Sequence, residues 1–145
     1  VRIRGILVLA LAVGLLLGQG TVSPAQPVQV IKVSLVSFKF TPNLFTLHDG
    51  ERVVLQLQND DEKRAHGIAS PYFSTVGLTV RGDAKQDVTR DGWKSVVLEP
   101  GRKAEVEFVA QGRGQWPFIC PVFNHASQGQ TGALVVWPAG YNPKS

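Results

Sequence analysis

Cys120 is the only cysteine among 145 residues, and His125 follows it five positions later in the stretch FICPVFNHASQGQTG, Phe118 to Gly132. A thiolate and an imidazole together favour copper or zinc over harder ions, so Cys120 is the first candidate ligand. A mononuclear site of the His2Cys type also needs a second histidine from elsewhere and a weak axial donor, most often Met. The chain contains no Met. Gln130 lies five residues beyond His125, with Gly129 and Gly132 close by, and Gln is an accepted axial alternative.

Three histidines are available. His48 ends a short apolar stretch beside the Asp49-Gly50 turn signal, where an exposed turn-flanking residue is expected. His66 directly follows the polar run DDEKR, Asp60 to Arg64, and opens an apolar segment, where its ring can sit at the rim of the core. The charge run itself reads as solvated surface. Cys120, His125 and Gln130 at five-residue steps around a glycine-containing loop form a more specific combination than any one of them alone.

The elements that must hold these groups read as strands. Pro27 to Phe40 alternates, with Ile31, Val33 and Leu35 on one parity. Phe38 and Phe40 fall on the other parity, so a twist or bulge is expected between. Leu44 to His48 and Arg52 to Asn59 follow, the latter with Val53, Leu55 and Leu57 facing one way. Ser70 to Gly92 is a long excursion with one short strand expected near Leu78 to Arg81, suited to function or to covering a sheet edge. Its Arg81-Gly82-Asp83 tripeptide is given no adhesive role. Ser95 to Leu98, Lys103 to Val109, Trp116 to Cys120 and Thr131 to Trp137 complete the series. Seven or eight short strands at this spacing predict an all-β sandwich or barrel, antiparallel and of Greek-key type.

Arg2 and Arg4 precede the apolar run Ile6 to Leu17, and small residues lead to Ser23-Pro24-Ala25. That pattern describes a secretory signal peptide over residues 1–25, with an uncleaved N-terminal anchor as the alternative, and the run is short for an ordinary membrane span. Residues 26–145 then form one domain, exported to the periplasm or another extracytoplasmic space. A single cysteine makes no internal disulfide, and a lone thiol in an oxidising compartment is a liability unless buried or metal-bound. The formal charge of +4 includes both leader arginines, and the mild remaining excess argues against nucleic acid.

The last third resembles the C-terminal half of the cupredoxins, the small blue copper proteins. The resemblance rests on His66 upstream, then Cys-x4-His-x4-Gln as Cys120, His125 and Gln130, then the closing strand TGALVV. The spacing is similar to that of rusticyanin and of the stellacyanins, which also carry an axial Gln. It implies one mononuclear type 1 copper per chain, with His66, Cys120, His125 and Gln130 as ligands. Gln128, at a spacing some short-loop members use, is the axial alternative, and the glycines near Gln130 favour the latter by allowing close backbone approach. Gly67 departs from relatives that carry a side chain there to tie the ligand loops together. The resemblance further implies a monomeric one-electron carrier whose redox partners dock on an apolar patch around a surface-exposed His125. Pro121, Val122 and Phe123 are its candidate members, with Tyr72 and Phe73 as neighbours, although all of these also suit a core. Storage, delivery or sensing of copper is the alternative function. An enzyme is not expected, since four protein ligands leave no open position for a substrate.

Overall fold

The computed structural model describes residues 27–142, and within them the chain forms two packed β-sheets. The leader expected over residues 1–25 lies outside the described residues. The strands are β1 (Val28–Val36), β2 (Lys39–Thr41), β3 (Leu44–His48), β4 (Arg52–Asn59), β5 (His66–Ser70), β6 (Thr79–Gly82), β7 (Lys85–Val88), β8 (Lys94–Leu98), β9 (Lys103–Val109), β10 (Gly114–Ile119) and β11 (Thr131–Trp137). One sheet has the order β2-β1-β4-β9-β6 and the other β3-β11-β10-β5-β8-β7. The expected all-β sandwich is what forms, but it is not wholly antiparallel. β1 runs parallel to β4, and β3 parallel to β11.

Alternation drives the layering. Val33 and Leu35 of β1, Val53, Leu55 and Leu57 of β4, and Ala104, Val106 and Phe108 of β9 all point into one core. The facing sheet adds Phe45, Leu47, Ile68, Val96, Leu98, Phe118, Leu134 and Val136. Each fully buried aliphatic or aromatic side chain contributes about 1.5–3 kcal/mol relative to an exposed one. Phe118 is a pivot, stacked on Phe45 at 4.5 Å between ring centroids and edge-on to Phe40 at 4.9 Å.

Three departures from the strand pattern have physical causes. The expected single strand from Pro27 to Phe40 is two, because the chain reverses at Ser37-Phe38 and Lys39 pairs back against Val36. β5 does not alternate, since all five of its residues, on both faces of the strand, are buried between β10 and β8. The excursion after Ser70 contains two strands rather than one. β6 extends one sheet by pairing with β9, and β7 extends the other by pairing with β8. β7 is exposed at every position, so it carries no period to read.

Strand directions place the site. β5 begins, β10 ends and β11 begins at the same end of one sheet, since β10 is antiparallel to both neighbours. The polar loop between β4 and β5 and the β1–β2 turn close over that end, as shown by the contacts of Ser37 with Asp61 and of Asn59 with Arg64.

Candidate metal centre

His66, Cys120 and His125 come together at this end, each buried, with their ligand atoms all within 4.8 Å of one another. His66 is the first residue of β5, Cys120 follows the last residue of β10, and His125 precedes a short 3-10 turn at Ala126–Gln128. Cys120 Sγ lies 3.5 Å from His125 Nδ1 and 4.0 Å from His66 Nδ1. A cation about 2.3 Å from a sulfur and about 2.0 Å from a nitrogen in a trigonal plane sets an S···N edge of roughly 3.7 Å. The observed pair of distances brackets that value, so the donor set fits a metal of the size and softness that thiolate and imidazole select.

The loop is built to hold these atoms. The Cys120 N–H donates to Gln130 O at 3.0 Å, and the Gln130 N–H donates to His125 O at 3.1 Å, which ties the two ends of the loop together. Gly129 ends the 3-10 turn at a φ of 101°, in the left-handed region that suits glycine. Gln130 is fully buried, and its Oε1 lies 2.8 Å from His66 Nδ1. Its amide nitrogen donates to Lys39 O at 3.4 Å, which orients the oxygen toward the site. Gln128 is exposed and its amide turns away to Asn124 O. His48 is not in the cluster. It sits at the β3–β4 turn, with Nε2 2.9 Å from Tyr141 O and Nδ1 3.4 Å from Glu51.

Burial pushes the Cys120 thiol above its ordinary pKa, opposed by hydrogen bonds from the N–H groups of Gly67 and Val122. The tie between the ligand loops that a side chain at position 67 would make is therefore made by backbone. No side chain fits there, because a Cβ on Gly67 would meet Val96 O at 2.5 Å. Burial also lowers the His125 pKa, with the charges of His66 and Arg64 acting in the same direction.

Two expectations about the surface need correction. Tyr72 and Phe73 belong to no patch: both are fully buried, and Tyr72 packs on Trp116 and Phe108. Their 3-10 turn, Pro71–Ser74, folds them inward under the Ser70 cap. His125 is only 6% exposed, because Phe38 lies edge-on against its ring at 5.0 Å. Phe123 is 86% exposed, with Pro121 and Val122 half-buried beside it in the chain. Phe38 was not among the candidate site residues, since it carries no metal-binding chemistry of its own.

Asp61 is the other residue that sequence reasoning missed. Its Oδ2 lies 3.1 Å from His66 Nε2, so the run read as solvated surface reaches into the centre. Hydrogen bonds from the Ser37 hydroxyl, the Lys63 N–H and His66 hold its carboxyl far below the usual carboxylate range.

The family model of the cupredoxin-like domain matches residues 7–136. The chain belongs to the cupredoxin-like family. In this cupredoxin the three clustered residues are arranged as a potential type 1 copper site. An auracyanin from Roseiflexus castenholzii is similar in structure at a TM-score of 0.59 and 16% identity, covering 76% of this chain and 98% of its own. Auracyanin A of Chloroflexus aurantiacus, described as a blue copper protein, superposes at 0.58 and 16% identity, covering 77% of this chain and all of its own. In sequence, the cupredoxin is 28% identical over 110 residues to a multicopper oxidase of Staphylococcus haemolyticus. That match covers 72% of this chain but 24% of the oxidase, so the chain spans about a quarter of the length of the curated relatives it matches. No helix among the described residues is long and apolar enough to cross a membrane.

Proposed function

We propose that this cupredoxin is an exported one-electron carrier, and that His66 Nδ1, Cys120 Sγ, His125 Nδ1 and Gln130 Oε1 would hold one type 1 copper. The observation that carries the reading is the convergence of one thiol and two imidazoles at spacings of 3.5 and 4.0 Å, buried at one end of a rigid sandwich. When bound, copper supplies one-electron chemistry between Cu(I) and Cu(II). The chain's own part is to fix the ligands. Cys120 would bind as the thiolate, its proton passing to solvent, since a coordinating thiol is deprotonated. The backbone ties at Gln130, Gly67 and Val122 limit how far Sγ and the imidazoles move, and that keeps reorganisation small.

Gln130 offers an amide oxygen, a harder donor than a thioether, and so favours Cu(II). The exposed Phe123, with Pro121 and Val122, supplies an apolar contact face for redox partners of the transient kind. The leader over residues 1–25 directs export of a single domain spanning 26–145.

The visible spectrum of residues 26–145 after one equivalent of Cu(II), beside that of Cys120→Ala, tests this. An intense thiolate-to-copper band in the first and none in the second is the expected result. Its absence from folded wild-type protein would remove the copper reading. The similarity to multicopper oxidases supports a second reading, in which the domain serves a larger copper oxidase. Oxygen uptake that starts only when the copper-loaded chain is mixed with a copper oxidase and a reducing dye would favour that one.

A further inference from the structure

We propose that Asp61 is a positioning residue for the metal centre: its carboxylate holds His66 in the tautomer with the proton on Nε2, leaving Nδ1 as the donor. The inference rests on His66 being a ligand, and it applies to any cation that a thiol and two imidazoles select.

The His66 ring is fully buried, and its two nitrogens face different groups. Nδ1 faces the cluster, 4.0 Å from Cys120 Sγ and 2.8 Å from Gln130 Oε1. Nε2 faces Asp61 Oδ2 at 3.1 Å, with Ser37 Oγ at 3.4 Å. An ionised carboxylate can only accept, so the imidazole nitrogen opposite it must carry a proton. Gln130 Oε1 beside Nδ1 also only accepts, but in a neutral ring the one proton goes to the charged carboxylate, the stronger acceptor, and that leaves the lone pair on Nδ1, where a metal needs it. A ligating histidine held through its other nitrogen in this way has a fixed ring orientation and a more basic donor atom.

The carboxylate is itself fixed. Asp61 Oδ1 accepts the backbone N–H groups of Lys63 at 2.9 Å and Arg64 at 3.1 Å. Oδ2 accepts the Ser37 hydroxyl, and the Asp61 N–H donates to the Oδ1 of buried Asn59 at 3.0 Å. The loop's charge run is therefore not uniform surface: this one acid is turned inward by hydrogen bonds from three directions.

Asp61→Asn discriminates, because the amide cannot serve both sides as the carboxylate does. Keeping its oxygen on the Lys63 and Arg64 amides turns its nitrogen, a donor, toward His66. Nε2 must then accept, and the ring proton moves to Nδ1, where Gln130 Oε1 receives it. The nitrogen that faces the cluster is thereby blocked.

The test is long-range proton–nitrogen NMR correlation of the histidine rings in metal-free protein at pH 8, together with Zn(II) affinity by competition with a chromophoric chelator. Wild type is expected to carry the His66 proton on Nε2. Asp61→Asn is expected to carry it on Nδ1 and to bind Zn(II) about 10–100-fold more weakly. Asp60→Asn removes the neighbouring acid of the same loop, which is bonded to Ser34 and not to His66, and is expected to retain the wild-type tautomer and affinity. A wild-type proton found on Nδ1 alone overturns the proposal without any variant, and so does a folded Asp61→Asn protein with unchanged tautomer or Zn(II) affinity. Failure of the copper reading has a separate signature, a missing visible band with Zn(II) binding intact.

Discussion

Replacing Asn59 by Ala tests how the inward turn of the ligand loop is held. The Asn59 side chain is fully buried and makes three hydrogen bonds. Its Nδ2 donates to Arg64 O at 2.8 Å and to Leu98 O at 3.1 Å, and its Oδ1 accepts the Asp61 N–H at 3.0 Å. One side chain thus spans the loop from Asp61 to Arg64 and pins it to β8. Each such bond contributes about 1 kcal/mol net, and a partner left buried and unpaired costs about 1–3 kcal/mol. Water can reach the exposed ends of the loop, but Leu98 O sits in the core. The expected loss is therefore about 3 kcal/mol, which for a domain of this size lowers Tm by roughly 10–15 °C. Urea unfolding of the metal-free protein should show a lower midpoint with an unchanged slope. Zn(II) affinity should fall too, because Asp61 is no longer presented to His66. A stability loss under 1 kcal/mol would refute the assignment of Asn59 as the clamp of this loop.

Gly67→Ala should cost about 1–3 kcal/mol, because its Cβ would lie 2.5 Å from Val96 O and 3.0 Å from Val97 Cα, and β5 and β8 must part to admit it. Urea midpoints would detect this, and equal stability would mean that the strands separate without cost. Gln130→Met should raise the reduction potential of the copper-loaded protein above wild type, as followed by redox titration of the visible band. An equal or lower potential would contradict an axial amide oxygen. Glu107 accepts hydrogen bonds from Arg81 and Arg52 at 2.7 Å each, which lower its pKa below the ordinary 4.5. The unfolded chain then binds this proton first as pH falls, so the stability Glu107 contributes is present above about pH 4.5 and lost below it. In Glu107→Gln, the loss of stability between pH 6 and pH 3 should be shallower than in wild type, and an identical slope would show the pair to be inert.

Where a strand buries one face, the sequence shows it. The alternation in RVVLQLQN and KAEVEFV predicts Val53, Leu55, Leu57, Ala104, Val106 and Phe108 as inward residues, and all of them are core. β5 is buried on both sides and β7 on neither, so neither has a period, and β2 is hidden by a reversal at Ser37-Phe38 that alternation alone reads as a bulge. Tyr72 and Phe73 look equally suited to a surface patch or a core, and only the turn after Ser70 decides which.

The metal centre divides along the same line. Cys120, His125 and Gln130 were legible because they share one loop of about a dozen residues, whose backbone brings them together by local hydrogen bonds. Residue type and spacing are sufficient there. His66 is 54 positions from Cys120, and its place depends on β5 pairing beside β10. Asp61 could not be read at all, since an acid in a charged run points to water unless something buried turns it inward. The Asn59 clamp, the Ser37 hydroxyl and the His66 ring do that, and they meet only after two sheets have packed. Sequence by itself determined the chemistry of the donors and the class of fold, because both follow from residue type and short-range period. Tertiary structure alone decided which nitrogen of His66 faces Cys120 and His125 and how deeply His125 is covered, because those depend on contacts between segments far apart in the chain.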